Sequence, residues 1–373
     1  MNIIIAMDSM KSALTSEAAN RIIADIVTTR GHHALSFTMA DGGEGTAEAF
    51  MSGQSDGEWC HVVTVSPAFK KIEAKYGWVP TEKTAYIDVS AASGIQYASA
   101  DTHPLNRTSA GTGHLMRDAL DKGAQKIVLG LGGSATIDGG IGLVTVLGGQ
   151  FFNRRGERLQ GCGADIGEVA YIDLSLLDKR LANTTIIGAS DVTNPLIGEN
   201  GAVRVFGAQK GLLPDEEIAY DEAMQHYLEV ATGALTSEAG DGAAGGIGFA
   251  LRFFLKGQLQ SGATMLVEAN QLQEALETAD LLITGEGRMD SQSLMGKLPI
   301  TLARQAKAAK VPVIAFVGGF EGDVAAVASE GIRAVVPIVQ APVTIPEAIS
   351  AAATNLAAAV ERTFILLEWD KKS

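Results

Sequence analysis

DLLITGEGRMDSQSLMGKLPITLARQAKAAKVPVIAFVG (280–318) is the stretch that decides the fold. Its ends, DLLITG (280–285) and VPVIAFVG (311–318), are short apolar runs of the kind carried by strands buried on both faces. Between them LPITLARQAKAAK (298–310) places apolar residues at helical spacing. Strand, helix and strand in that order make a βαβ unit, and hence a parallel sheet. IRAVVPIV (332–339) supplies another strand after the helical stretch DVAAVASEG (323–331), and a final helix is expected over about 346–367.

Working outward, the same alternation occurs at the other end of the chain. NIIIAM (2–7) reads as a buried strand, followed by a helix with Ile22, Ile23 and Ile26 on one face, Thr15 or Ser16 as its cap and Gly31 as its stop. HALSFT (33–38) is the next strand. The middle differs. HVVTVS (61–66), IEAKYGWVP (72–80) and TAYIDVS (84–90) follow one another without intervening helices, as antiparallel strands do; a helix after GTG (111–113) and the strands KIVLGL (126–131) and NTTIIGAS (183–190) come later. The fold class expected is α/β in two domains. One is discontinuous, 1–60 with 270–373, and carries a doubly wound, flavodoxin-like parallel sheet; the other, 61–269, is inserted and carries a mixed sheet.

A net charge of −14 lacks the basic footprint that nucleic-acid binding requires. An anionic ligand must then be held by local N–H groups, a few cations or a metal. Two cysteines, Cys60 and Cys162, give neither a disulfide framework nor metal-ligand spacing. The N-terminus MNIIIAMDS lacks the features of a signal peptide and no apolar run is long enough for a membrane span, so a cytoplasmic protein with no membrane partner is expected; a homo-oligomer is compatible with this reading.

The 43 glycines mark loops more than linkers. MADGGEGT (39–46), GLGGSATIDGG (130–140), GDGAAGGIG (240–248) and TGEGRMD (284–290) each combine glycine with carboxylate, hydroxyl or both near the end of an apolar run. Inward-pointing N–H groups in such turns form nests for phosphate. Gly42, Gly43, Gly45, Gly132, Gly133, Ser134 and Thr136 are the candidates for phosphate or nucleotide, although neither a Walker motif nor a dinucleotide fingerprint is present. Carboxylates beside phosphate suit Mg²⁺, a hard cation that takes oxygen ligands. Asp41, Glu44 and Glu286 are the expected ligands, with Asp138, Asp191 and Asp290 in the wider set, and each alone suits a loop-capping role equally. Lys11, Lys210, Arg288 and Lys297 can offset phosphate charge. Together these point to phosphoryl transfer, which needs positioning and charge stabilisation more than a special nucleophile.

Taken together, IAMDSMKSAL (5–14), MADGGEGT (39–46), ASGI (92–95), GTGHLMRDAL (111–120), GLGGSATIDGG (130–140), DVTNPLIGENGAVRVFGAQKG (191–211), GAAGGIG (242–248) and ITGEGRMDSQSLMGKLPI (283–300) resemble the type-1 glycerate kinases, in family order. The resemblance implies ATP- and Mg²⁺-dependent phosphorylation of D-glycerate, usually to 2-phosphoglycerate, in a cleft between two α/β domains. It assigns Lys11, Asp191 and Arg288 to catalysis. Asp8, Ser9, Ser93, Asn194 and Lys210 are assigned to the substrate, and Lys297 to the nucleotide phosphates. Departures from the family pattern stand at Met7, Ile137, Ala208 and Asp241. The alternatives are phosphorylation at the 3-hydroxyl, a kinase of another small hydroxy acid, and, more distantly, an NAD-dependent hydroxy-acid dehydrogenase.

Overall fold

The computed structural model describes every residue except 11–12, 41, 99–101, 292 and 370–373, and the backbone alone of Met295. The chain divides into two compact units, Met1–Asp41 with Ala263–Ser373, and Gly42–Gly262. The sequence reading ends the first segment at 60 and resumes it at 270. In the structure residues 42–60 lie with the second unit, because the helix Thr46–Met51 packs on strands of that unit and the strand from Glu58 pairs along its length with the next one.

In the first unit β1 (Asn2–Met7), α1 (Ser16–Thr29) and β2 (His33–Ser36) lead into the loop at 37–40. The second unit then runs α2 (Thr46–Met51), β3 (Glu58–Val65), β4 (Lys71–Val79), β5 (Thr84–Asp88), α3 (Ser90–Ser93), α4 (Ala110–Asp121), β6 (Lys126–Gly130), α5 (Ile141–Val146), β7 (Gln150–Phe152), β8 (Tyr171–Asp173), β9 (Thr185–Ala189), α6 (Ala202–Phe206), α7 (Glu217–Thr232), α8 (Ile247–Phe253) and β10 (Gln258–Gln260). The chain completes the first unit with α9 (Gly262–Ala269), α10 (Leu272–Leu276), β11 (Leu281–Met289), α11 (Leu298–Ala308), β12 (Val313–Phe320), α12 (Val324–Ser329), β13 (Ile332–Pro337), α13 (Ile345–Ser350) and α14 (Ala352–Leu367).

The first unit's sheet has the order β13-β12-β11-β1-β2, and every pairing is parallel. Numbered along this unit alone, that is the doubly wound order 2-1-3-4-5 expected from the sequence. Ile3, Ile5 and Met7 point to one face, where they join Ile23 and Val27 of α1 and Leu356, Val360 and Phe364 of α14 in one apolar cluster. Ile4 and Ala6 are equally buried by the period-2 alternation of a strand, and α11 packs on β11 and β12. Thr15 caps α1 by accepting from the Ala18 N–H at 3.1 Å, which leaves Ser16 free for another task described below. The C-terminal helix expected as one piece is interrupted at Ala351 (φ −93°, ψ 4°).

The second unit's main sheet, β10-β9-β6-β5-β4-β3, is mixed. β3, β4 and β5 are antiparallel neighbours, as their unbroken succession in sequence predicts, while β5, β6, β9 and β10 are parallel. A separate hairpin pairs β7 with β8. The helix expected after GTG instead includes it: α4 starts at Ala110, and Gly111 lets the Val65 carbonyl approach where a Cβ would lie 2.2 Å away. No helix of the described residues is long and apolar enough to cross a membrane.

Candidate active site

In the second unit the parallel strands β5, β6 and β9 deliver three loops at their carboxyl ends, where open α/β sheets bind ligands. Backbone hydrogen bonds lace these loops to one another and to the 42–45 turn. Leu131 N–H donates to the Ala189 carbonyl (3.1 Å), Gly132 N–H to that of Gly42 (3.2 Å), Ile95 N–H to that of Gly133 (2.8 Å) and Ala135 N–H to that of Ser93 (2.8 Å). The contact between the two glycine turns explains part of their composition. A Cβ on Gly132 would lie 2.2 Å from the Gly43 Cα, so Gly132 serves backbone-to-backbone packing. The loop of 240–248 closes on the same region: a Cβ on Gly245 would lie 2.0 Å from the Thr136 carbonyl oxygen, and Gly139 N–H donates to the Gly245 carbonyl at 3.0 Å.

Three buried charged side chains hold this loop cluster, and sequence reasoning assigned a role to only one of them. Asp88, at the end of β5, accepts from the N–H groups of Gly45 and Ala47, each at 3.0 Å, and so ties the glycine turn and the start of α2 to the sheet. Burial pushes its carboxyl up to about 7; the two N–H donors oppose the rise, and Glu48 and Glu44 add to it. Lys210, 5% exposed, donates from Nζ to Ser134 Oγ and to the Thr136 carbonyl, both at 2.8 Å. Burial brings its amine down to about 7, against the pull of Asp138 and with the help of Arg107. Arg107, also buried, donates to the carbonyls of Ala135 (3.3 Å), Lys210 (2.8 Å) and Thr102 (2.9 Å). The signals that could have pointed to Asp88 and Arg107 were an acid closing an apolar strand in TAYIDVS and a cation just ahead of the GTG stretch.

Asp138 is an internal anchor. Its carboxylate accepts from Ser109 N and Oγ (2.7 Å each), Gly140 N (3.2 Å) and Gly142 N (3.3 Å), while burial raises its pKa against those bonds. Ile137, where the resemblance expects an amide, lies wholly in the apolar core, which an isoleucine suits. Ser93 is also enclosed, its Oγ 2.8 Å from Thr112 Oγ1 with both residues fully buried. Lys210 and Ser93, read from the sequence as substrate contacts, are therefore supports of the 132–136 turn, because their polar atoms are spent inside the protein. Beyond β9, Asp191 is half-buried, and Asn194 donates from Nδ2 to the Asn200 carbonyl at 2.9 Å. Glu44 is exposed.

In the first unit the strand order reverses between β1 and β11, the position at which this architecture binds its ligands. Met7 and Gly285 are partners in register there, and Asp8 N–H donates to the Gly285 carbonyl at 2.9 Å. Asp8 is 5% exposed and its Oδ1 accepts from Ser9 N–H at 2.7 Å. Glu286, buried, follows on β11, with Lys297 Nζ 3.9 Å from its Oε2. These four expected residues are brought together. Arg288 is not with them: it is 68% exposed and paired with Glu321 and, at 3.8 Å, with Asp290. Arg288 shares the strand face of Glu286, two residues earlier, and its side chain is drawn outward by the carboxylates of Glu321 and Asp290. Lys11 and Asp41 lie outside the described residues.

Two residues of α1 escaped the sequence reading. Ser16 Oγ donates to the Met7 carbonyl (2.6 Å) and accepts from Met39 N–H (3.0 Å); Asn20 accepts from Met7 N–H (3.0 Å) and donates to the Phe37 carbonyl (2.8 Å). Both bind the end of β1 to the segment leading into the glycine turn. The Met7 N–H bond is one that proline, the residue the resemblance expects at this position, could not make, which gives that departure a physical counterpart.

Thr136 Oγ1 is buried and has no hydrogen-bond partner, so the 132–136 turn retains a hydroxyl group able to serve a phosphate oxygen. Among the described residues no three His, Cys, Asp or Glu side chains converge on a metal position. Mg²⁺ bound with a nucleotide needs only one or two carboxylates, its other ligands being phosphate and water, and Glu44 and Glu286 have the right donor chemistry.

A sequence model of the glycerate kinase family matches residues 3–368. The chain is 41% identical over 365 residues to a protein of Escherichia coli K12 named glycerate 2-kinase, and 39% identical over 367 residues to a glycerate kinase of Bacillus cereus; each match covers 95% of both chains. A crystal structure named for glycerate kinase 2, from Salmonella typhimurium LT2, superposes with a TM-score of 0.79 at 37% identity over the whole of both chains. Matches of this length leave neither unit outside the comparison. With two α/β units, loops gathered at strand ends and near-complete coverage by the family model, the chain belongs to the glycerate kinase family, kinases that transfer a phosphoryl group to an alcohol oxygen.

Proposed function

We propose that this protein uses ATP and Mg²⁺ to phosphorylate D-glycerate at its 2-hydroxyl. The observation that carries the reading is the full-length match to a protein named glycerate 2-kinase, with the glycine turns packed at the carboxyl ends of β5, β6 and β9 as its structural support. In this reading the turn Gly132–Thr136 and the turn Gly42–Gly45 receive the nucleotide phosphates through backbone N–H groups and the hydroxyls of Ser134 and Thr136. Asp8, Ser9 and Lys11 meet the glycerate carboxylate or the transferred group, and Asn194 orients the substrate. Asp191 takes the proton of the attacking hydroxyl. As the new bond forms between that oxygen and the γ-phosphorus, the bond from phosphorus to the β–γ bridging oxygen breaks and ADP leaves. Lys297 offsets negative charge near Glu286.

Asp41, Glu44 and Glu286 are the proposed Mg²⁺ ligands, and the metal when bound neutralises phosphate charge. Arg288 is left as a surface cation whose catalytic role needs release from Glu321 and Asp290. Coupled measurement of ADP release tests the reading: turnover that depends on both D-glycerate and Mg²⁺ supports it. NAD-dependent oxidation of a hydroxy acid, with no ADP formed, would replace it with the dehydrogenase alternative.

A further inference from the structure

The cluster beneath the 132–136 turn is electrically unbalanced. Lys210 and Arg107 are both buried cations, and the one buried carboxylate with them among the described residues, Asp138, already accepts four hydrogen bonds from Ser109, Gly140 and Gly142. Among the described residues neither cation donates to a carboxylate: Lys210 reaches Ser134 Oγ and the Thr136 carbonyl, and Arg107 reaches three carbonyls while its Nε has no partner. Among the described residues three further titratable groups face these loops: Tyr220 and Tyr227 of α7 donate to the Ile137 and Gly163 carbonyls and to the Gly139 carbonyl and are held neutral by burial, and the exposed Glu44 lies beside Gly133. A surplus of buried positive charge is costly to folding, and such arrangements concentrate where an anion is to be bound.

We propose that Lys210 is a positioning residue that locks the Ser134–Thr136 turn for phosphate and takes up a proton when the phosphate arrives. The inference rests on the reading of this turn as the nucleotide-phosphate site. Its physical basis is the balance around the amine. Burial and Arg107 favour the neutral form, and Asp138 alone favours the ammonium; its midpoint of about 7 leaves the charged form a minority at pH 8. An anion bound at the turn adds a second favourable charge and restores the ammonium. By reciprocity, the anion binds less tightly as pH rises and the proton is lost. A lysine that only braced the turn would hold Ser134 and Thr136 without any such exchange.

The test is calorimetric titration of the full chain with Mg·ATP at pH 8.0 in Tris and in HEPES. Their ionisation enthalpies differ, and Mg·ATP itself exchanges no proton there. The expected result is uptake of roughly 0.5 to 0.9 proton per nucleotide, with a Kd that rises toward tenfold per pH unit above neutrality. Lys210→Met should weaken binding about tenfold at pH 7 and abolish the uptake, while raising KM for ATP more than it lowers kcat. Binding by the wild-type chain without proton uptake overturns the proposal, and needs no variant to fold. Equal uptake by a folded Lys210→Met overturns it too. No Mg·ATP binding at all overturns the nucleotide assignment of the turn, and the role of Lys210 with it, a result distinct from binding without uptake.

Discussion

Gly132 and Gly31 separate two reasons for glycine. Alanine at 132 would set a methyl 2.2 Å from the Gly43 Cα, a clash between backbones that neither loop can relieve by rotating a side chain. At Gly31, with φ +79° and nothing within 4 Å, alanine meets only the left-handed conformation. Urea denaturation should give a loss of about 3 kcal/mol or more for Gly132→Ala and about 1 kcal/mol for Gly31→Ala. Equal losses would remove loop-to-loop packing as the explanation.

Asp88 makes the opposite kind of prediction, one in pH. Its carboxyl titrates near 7 in the folded chain against 3.8 as a free side chain, so between those values the native state holds a proton that the unfolded state has released. Its contribution to stability is present at low pH and is lost as pH rises from about 4 to about 7. Asp88→Asn, measured by urea midpoints at pH 5 and pH 8, should flatten that fall. Lys210 acts with reversed sign and window: its amine releases its proton near 7 when folded and near 10.5 when unfolded, so stability recovers with pH across that interval.

Neither residue's role was legible from the sequence. A single acid in TAYIDVS cannot show that its partners are Gly45 and Ala47, some forty residues earlier in the chain, and FGAQKG cannot show that its lysine faces inward. Side chains in solvated loops and side chains bracing those loops have the same local sequence.

Elements were easier to read. β1, β11 and β12 are nearly continuous apolar runs because both their faces are covered, and this pattern survives in sequence without knowledge of the partners. What the pattern cannot carry is which side of a boundary a short element joins. α2 was assigned to the wrong segment because TAEAFM has apolar residues but no sign that they meet β4 and β5. The 238–252 region shows another limit. Asp241, where the resemblance expects a small residue, is fully buried, and Arg252 of α8 grips it through Nε and Nη2, each at 2.8 Å, while Nη1 reaches Glu238. Arg252→Met leaves that carboxylate buried and unpaired, at an expected cost of about 3–5 kcal/mol. Adding Asp241→Ala should return most of the loss. A double variant no more stable than the single one would mean that the pair itself, and not the stranded charge, holds α8 in place.

At the scale of the whole molecule, the two units carry separate apolar clusters: one around β1, α1 and α14, the other around β5, β6, α4 and α7. The second unit is also one unbroken segment of chain. Residues 42–262 expressed alone should therefore fold, with strand and helix signals in far-UV circular dichroism and a cooperative urea transition. A non-cooperative profile would show that its core depends on the rest of the protein. The central claim concerns chemistry, and proton-coupled phosphorus NMR of the product from ATP, Mg²⁺ and D-glycerate tests it most directly. A phosphate on C2 sees one proton and gives a doublet, the predicted result. A triplet, from phosphate on the CH₂ of C3, would contradict the 2-hydroxyl assignment, and no new phosphorus signal from folded protein would contradict glycerate as the acceptor.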